Sequence, residues 1–554
     1  MSLPAASAHS LFAFGSNGNG QLGIGSDEDT STPRPVRFTP PLAITTTTFN
    51  NDHTATTTTN PSTQPPFHDF AAGGNHTALI TADHHRRLYM TGSNKDGESL
   101  LKDPTQVFTF HHSIPSKDTE QDQQQQQQQH KEHDLRWRSV ACGWAFTIAV
   151  TEPDIITVVT EKDVSTSDRE QRVHCTGNKV YAWGSGSFGE LGLGQGLTKT
   201  GGGKAMVIET GIFSNASSDQ FEILKVKAGL RHVLLLAKEK KKCSGGGSEE
   251  EEEEDGDGQY RTVLLGWGSN RQGQLGILER RLRPGGNDEE ALPYTEKELR
   301  GKFMEPTRIL LSRKRGGVEA NVEDEDEPEM IDMACGQNHS LVLFSDGTVY
   351  SSGQNKYAQL GPRTVSEEQR KQDFRMGFQQ VQGLPYVDSI SCGWNHNAAM
   401  DTRSSTIAGG RTSTGIIYLW GRDDHGQLGG GLVLKVVDVD LSGFSSVPAG
   451  IVQVQIPRMD HHRPDEKEEY EEIVSFSCGS EHTLAITRSG QCYAWGWNEH
   501  GNCGSGGENT KDLQDVPTPR KVDFFPEMSS LDDSTLTSRQ GWVAGGYGSS
   551  WVWI

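Results

Sequence analysis

The chain has 554 residues, with 52 Lys and Arg against 74 Asp and Glu, a formal net charge of −22. That balance argues against a nucleic-acid binder, which meets phosphates with surplus positive charge. No apolar run is long enough to cross a bilayer as a helix, and the first ten residues hold no Lys or Arg, unlike a secretory leader. Glycine, at 64 residues, is about twice its usual share. The eight cysteines form no CxxC pair and are read as reduced thiols. The expected location is cytoplasmic, with the nucleus also open.

Two motifs alternate along the chain. In order they are LFAFGSNGNGQLGIG from Leu11, AAGGNHTALI from Ala71, LYMTGSNKDGESL from Leu88, ACGWAFTIAV from Ala141 and VYAWGSGSFGELGLG from Val180. Next come KAGLRHVLLL from Lys227, VLLGWGSNRQGQLGI from Val263, ACGQNHSLVL from Ala334, VYSSGQNKYAQLGP from Val349 and SCGWNHNAAM from Ser391. The series ends with IYLWGRDDHGQLGGG from Ile417, SCGSEHTLAI from Ser477, CYAWGWNEHGNCG from Cys492 and AGGYGSSWVW from Ala544. Each motif therefore occurs seven times. Large and small residues alternate before the glycine, as in a strand. The Gly- and Asn-rich tail is turn chemistry. The Leu that follows it (Leu22, Leu191, Leu275, Leu360, Leu428) returns an apolar side chain to the core. Hairpin turns such as Ser345-Asp346-Gly347-Thr348 join the two motifs where nothing intervenes.

Seven hairpin units predict an all-β, seven-bladed propeller spanning 1–554 as one domain. At ~40–50 residues per blade the ring needs roughly 300–350 residues, so about 200 belong to insertions. These are expected as irregular or disordered loops at 38–67, 103–135, 151–179, 196–220, 238–261, 279–329, 363–385, 401–415, 431–471 and 505–540. They include a Thr-rich stretch (45–63), a Gln-rich one (121–129) and acidic runs at 249–257 and 323–329. The loops replacing hairpin turns are expected on one face and the glycine-rich turns on the other. The first motif at Leu11 has no partner before it, and the last, ending at Ile554, has none after it. The N- and C-terminal strands are therefore expected to pair and close the ring.

The alternating motifs resemble the regulator-of-chromosome-condensation repeat family. Four stretches are similar to a narrower fungal family within it, the alpha-tubulin suppressor or killer-toxin-insensitivity proteins. They are FAFGSNGNGQLGIGSDEDTSTP from Phe12, VACGWAFTIAV from Val140, CYAWGWNEHGNCG from Cys492 and GGYGSSWVWI from Gly545. That resemblance implies a non-enzymatic accessory subunit. It would pair with a small CSL zinc-finger electron carrier and support diphthamide synthesis on elongation factor two and Elongator-dependent wobble-uridine modification of transfer RNA. It implies no cofactor and no direct contact with nucleic acid or membrane. The alternative from the wider family is guanine-nucleotide exchange on a Ran-type GTPase. A third reading is a generic scaffold whose insertions carry specificity.

The candidate residues divide by position. His76, His232, His339, His396 and His482, and Cys142, Cys335, Cys392 and Cys478, recur once per blade. A ring spreads them apart, whereas a metal needs ligands converging within ~2–2.5 Å. Phe146 and Gly548 are placed at the histidine position in the two other blades, which favours packing. No catalytic or metal residue is assigned. GxGxxG at Gly184–Gly189 is a by-product of the repeat. The partner-contact candidates are Trp497, Glu499, His500 and Asn502, in the turn where an exposed Trp would be unusual. Cys503 stands where other copies have Leu, and is expected in the core.

Overall fold

In a computed structural model the chain forms a closed seven-bladed β-propeller. It describes residues 11–40, 66–101, 109–113, 135–153, 177–194, 197–200, 204–209, 221–240, 260–277, 306–311, 328–362, 377–402, 415–430, 450–457, 470–504, 513–522 and 541–554, with positions 103 and 106. Backbone alone is described for 46–49, 55–58, 154–159, 171–176, 280–281, 292–293, 303–305, 314–315, 318–319, 374–376, 405–407 and 410–412. The Gln-rich stretch and the acidic run at 249–257 lie outside the described residues, as does most of 323–329.

Each blade has the same strand order. In the fifth it is Met330–Cys335, His339–Phe344, Val349–Gln354 and Phe374–Gln380, all antiparallel. The second motif supplies the innermost strand and its return, and the first motif supplies the third strand. Both faces of the middle strands are buried, so they read as near-continuous apolar runs such as Leu341-Val342-Leu343.

The expected closure is present. Leu11–Gly15 pairs antiparallel with Ser549–Trp553, from Leu11 opposite Trp553 to Gly15 opposite Ser549. Trp542–Gly545 and Thr30–Pro35 complete this closing blade. Its register also corrects one expectation. Gly353 pairs with His339, and its counterpart Gly15 pairs with Ser549, so Ser549 and not Gly548 holds the histidine position.

The fourth strands fall inside stretches assigned above to insertions. Met206–Val207, Phe303–Ile309, Phe374–Gln380, Val452–Val454 and Val516–Lys521 all pair with the third strand of their blades. These outer strands are short or polar, and two carry prolines (Pro306, Pro517, Pro519), which edge strands tolerate.

The signature residues bind blade to blade. His76 Nε2 lies 2.8 Å from Thr147 Oγ1 of the next blade, and His232, His339, His396 and His482 repeat this with Ser340 (2.9 Å), Asn397 (2.7 Å), Thr483 (3.2 Å) and Ser550 (2.9 Å). The hydroxyls of Thr147, Ser340, Thr483 and Ser550 donate their own hydrogen to the carbonyls of Glu98, Gln274, Gln427 and Asn502. A hydroxyl has one hydrogen, so it accepts from the imidazole. Asn397 likewise accepts through Oδ1. All five rings therefore donate from Nε2–H and leave Nδ1 bare and buried. Where Phe146 replaces the histidine, the facing position of the next blade is apolar Val233, so donor and acceptor are lost together. The tryptophans join the same carbonyls: Trp183 Nε1 donates to Glu98 O, and Trp495 Nε1 to Gln427 O.

Candidate functional site: the turn face

The glycine-rich turns share one face with the short turns that precede the histidines. Backbone bonds link those short turns around the axis: Gly74 N–H to Gly143 O, Gln337 N–H to Trp394 O, Trp394 N–H to Ser480 O and Ser480 N–H to Gly546 O. The loops between second and third strands leave from the opposite face.

Each glycine-rich turn is locked by its own side chains. Asn355 Oδ1 accepts Leu360 N–H at 3.0 Å, and Gln359 Oε1 accepts Tyr357 N–H at 2.8 Å. Asn17, Asn270 and Asn498 act as Asn355 does, and Gln21, Gln274 and Gln427 as Gln359 does. The polar letters of GSNxxGQLG thus satisfy backbone donors in a turn too tight for regular pairing.

The seventh blade keeps the Asn498 half of the lock and changes the rest. Cys503 fills the Leu position in the core, and its N–H reaches Asn498 Oδ1 at 2.9 Å. Asn502 is buried and donates through Nδ2 to Trp497 O. The half-buried Trp497 ring meets His500 edge-on at 5.3 Å, and the space a side chain at Gly548 would need lies 3.2 Å from that ring. His500 Nδ1 lies 2.7 Å from Asp29 Oδ2 of the closing blade, and Asp29 Oδ1 accepts Asn17 N–H at 2.6 Å. Glu499 is exposed. The four candidate residues are thus together on the turn face; Glu499 is open to solvent, while the others also fasten the seventh blade to the closing blade.

The hydrogen bond that His500 donates to Asp29 raises the His500 pKa against the opposing effect of burial. For Asp29, burial works upward, but the bonds from His500 and Asn17 outweigh it and lower its pKa. Asp29→Asn should therefore move the His500 titration to lower pH in an NMR experiment. An unchanged midpoint would show that the pair does not form in solution.

The seven innermost strands surround a channel of about 560 Å³. At the turn face Tyr547 meets Trp144 and Trp394 edge-on, at 5.9 and 5.4 Å, so aromatic rings from three blades crowd the axis. Inside, Asp69 accepts Ser139 Oγ–H (2.7 Å) and Val140 N–H (2.9 Å), and Lys225 Nζ pairs with Asp332 at 2.8 Å. Burial pushes the thiols of Cys142, Cys335 and Cys478 up to about 12, so they stay protonated and poorly nucleophilic. Among the described residues no three His, Cys, Asp or Glu side chains gather as metal ligands.

Residues 162–551 match the RCC1-like domain model, and residues 9–80 match the regulator of chromosome condensation (RCC1) repeat. The chain belongs to the RCC1-like domain family. It is similar to the secretion-regulating guanine nucleotide exchange factor of Mus musculus, 28% identical over 94% of this chain and 80% of that one. It is also similar to the ultraviolet-B receptor UVR8 of Arabidopsis thaliana, 24% identical over 74% of this chain and 65% of the receptor. Among solved structures, Prp20p from Saccharomyces cerevisiae superposes with a TM-score of 0.55 at 18% identity, covering 99% of this chain and 92% of that one. This likeness shows the fold.

In this RCC1-like propeller, two features escape motif reading. One is the Asp29–His500 pair, whose members are 471 positions apart. The other is the cluster of Phe188, Arg231 and Arg271, drawn from three separate turns of two blades. The polar residue after each motif histidine carried a readable signal, since it turns apolar at Val233, behind Phe146.

Proposed function

We propose that the chain is a non-enzymatic docking subunit that pairs through its turn face with a small CSL-type zinc-finger protein. In that role it supports diphthamide synthesis on elongation factor two and, indirectly through Elongator, wobble-uridine modification. The observation behind this reading is the seventh-blade turn. It keeps the Asn498 lock of its siblings yet carries Trp497, Glu499 and His500, with Asn502 beneath, at the seam where the ring is closed. A partner resting there meets an aromatic edge and an exposed carboxylate held on a rigid frame, which limits the ordering cost of binding. Co-expression should give a stable heterodimer by sedimentation. Trp497→Ala with His500→Ala should weaken it at least tenfold, and no pairing at micromolar concentrations would remove the reading.

A second reading is guanine-nucleotide exchange on a Ran-type GTPase, favoured by the similarity to the mouse exchange factor along 94% of this chain. The discriminating measurement is nucleotide release from such a GTPase, where clear acceleration by the purified chain would favour exchange. Fold likeness alone leaves function open.

A further inference from the structure

Charge is divided across the turn face. The sector formed by the sixth, seventh and closing blades holds Asp423, Asp424, Glu481, Glu499, Asp515 and Asp29, with Arg422, His425 and His500 tied to these carboxylates. The opposite sector, in the third and fourth blades, exposes Arg231 and Arg271. Their guanidinium carbons sit over the Phe188 ring at 4.0 and 4.9 Å from its centroid. The buried Glu190 carboxylate, whose charge Arg231 favours, accepts the Phe188 N–H at 2.6 Å. Trp144 donates its backbone N–H to Leu230 O, next to Arg231, but its ring leans toward Tyr547 at the axis.

We propose that Arg231, Arg271 and Phe188 form a docking surface for a short, carboxylate-rich segment of a partner protein. This surface is separate from the seventh-blade contact and does not depend on it. Stacking on Phe188 holds two guanidinium forks in fixed directions, so each can take a carboxylate in bidentate fashion with less ordering cost than a free side chain. Exposed Arg side chains against an aromatic ring match the composition of interface cores, where Arg and aromatic residues are enriched. The chain's own acidic run at 249–257 starts from Lys240 and Tyr260, at the end of strands that pair away from the turn face. A nucleic acid fits poorly, because a long polyanion spanning the face would meet the acidic sector in a protein of charge −22. A short acidic segment ends before reaching it.

The test is fluorescence anisotropy of a labelled twelve-residue Glu/Asp-rich peptide titrated with the full chain at low salt, beside its Gln/Asn counterpart. The acidic peptide should bind saturably and lose affinity as salt rises, while the neutral one should not bind. Arg231→Glu with Arg271→Glu, and separately Arg231→Gln with Arg271→Gln, should weaken binding at least tenfold. Lys521→Glu, on the outer strand of the seventh blade, should change it less than twofold. Absent binding at 100-micromolar chain, on the order of the weakest useful affinity, would overturn the proposal. So would equal loss in the Lys521 variant, tighter binding of a DNA oligomer than of the peptide, or self-association that the arginine variants abolish. Tighter peptide binding after the acids at 249–254 become Gln would make that run the occupant and also overturn it.

Discussion

Acidification from pH 7 to pH 5 should unfold the propeller, with an uptake of about five protons per molecule. The folded-state pKa values of His76, His232 and His396 are pushed down to about 3, and those of His339 and His482 to about 4, chiefly because burial disfavours the charged ring. The hydrogen bonds give the cause its detail: Nε2–H is spent on the next blade, and a second proton would land on an Nδ1 with no acceptor. Each ring has a depressed pKa, so the unfolded chain binds more protons below its own pKa of ~6.5. Stability is therefore complete above that value and falls as pH drops toward 3–4. Each ring removes roughly 1.4 kcal/mol per pH unit in this window, and five together remove on the order of 10 kcal/mol by pH 5. That matches the whole stability of a typical domain, ~5–15 kcal/mol. His500, whose pKa is raised, opposes the trend. Carboxylates titrate mainly below this interval. Denaturant unfolding at several pH values reads the proton uptake as the slope, and a slope near zero between pH 6.5 and 5 would contradict the buried neutral rings.

The second large effect is expected at Gly15. It adopts φ +105°, and a Cβ there would lie 2.4 Å from the Gly548 carbonyl, in the turn that leads into the closing strand. The neighbour is backbone, so nothing flexible can yield. Gly15→Ala should cost about 3–5 kcal/mol through strain and lost pairing. Gly18, three positions on in the same turn, has open space where a Cβ would go and no positive φ. Gly18→Ala should stay within about 0.5 kcal/mol of the parent. Paired thermal and denaturant unfolding checks both. Equal, small effects would mean that the closing strands do not approach as described.

The repeat made the inner three strands legible. Apolar runs, the turn glycine and the following Leu recur together, so seven weak signals reinforce one another. The outer strands were not legible, because Val516–Lys521 reads VPTPRK and shows no apolar alternation. In the closing motif the expected histidine position is one residue off. AGGYGS set against ACGQNH without a gap puts Ser549 opposite His339, and the pairing of Gly15 with Ser549 gives the same register. At the site, the core role of Cys503 was readable from the Leu in sibling copies, and its exposure of 1% agrees. The tie of His500 to Asp29 was not, because ring closure alone brings the two ends of the chain together. In a sequence the turn residues Asn498 and Gln427 look like polar side chains facing water, yet both lie buried as turn locks.

Ring closure by the two ends supports everything else, since it sets the seam at which the seventh-blade turn, Asp29 and Gly548 meet. Hydrogen exchange on the full chain at pH 7.5 tests it directly. The amides of Leu11–Gly15 and Ser549–Trp553 should exchange together, as slowly as those of His339–Phe344 in the middle of the ring. Fast local exchange in either end strand, with the inner blades still protected, would show an open ring and contradict the account.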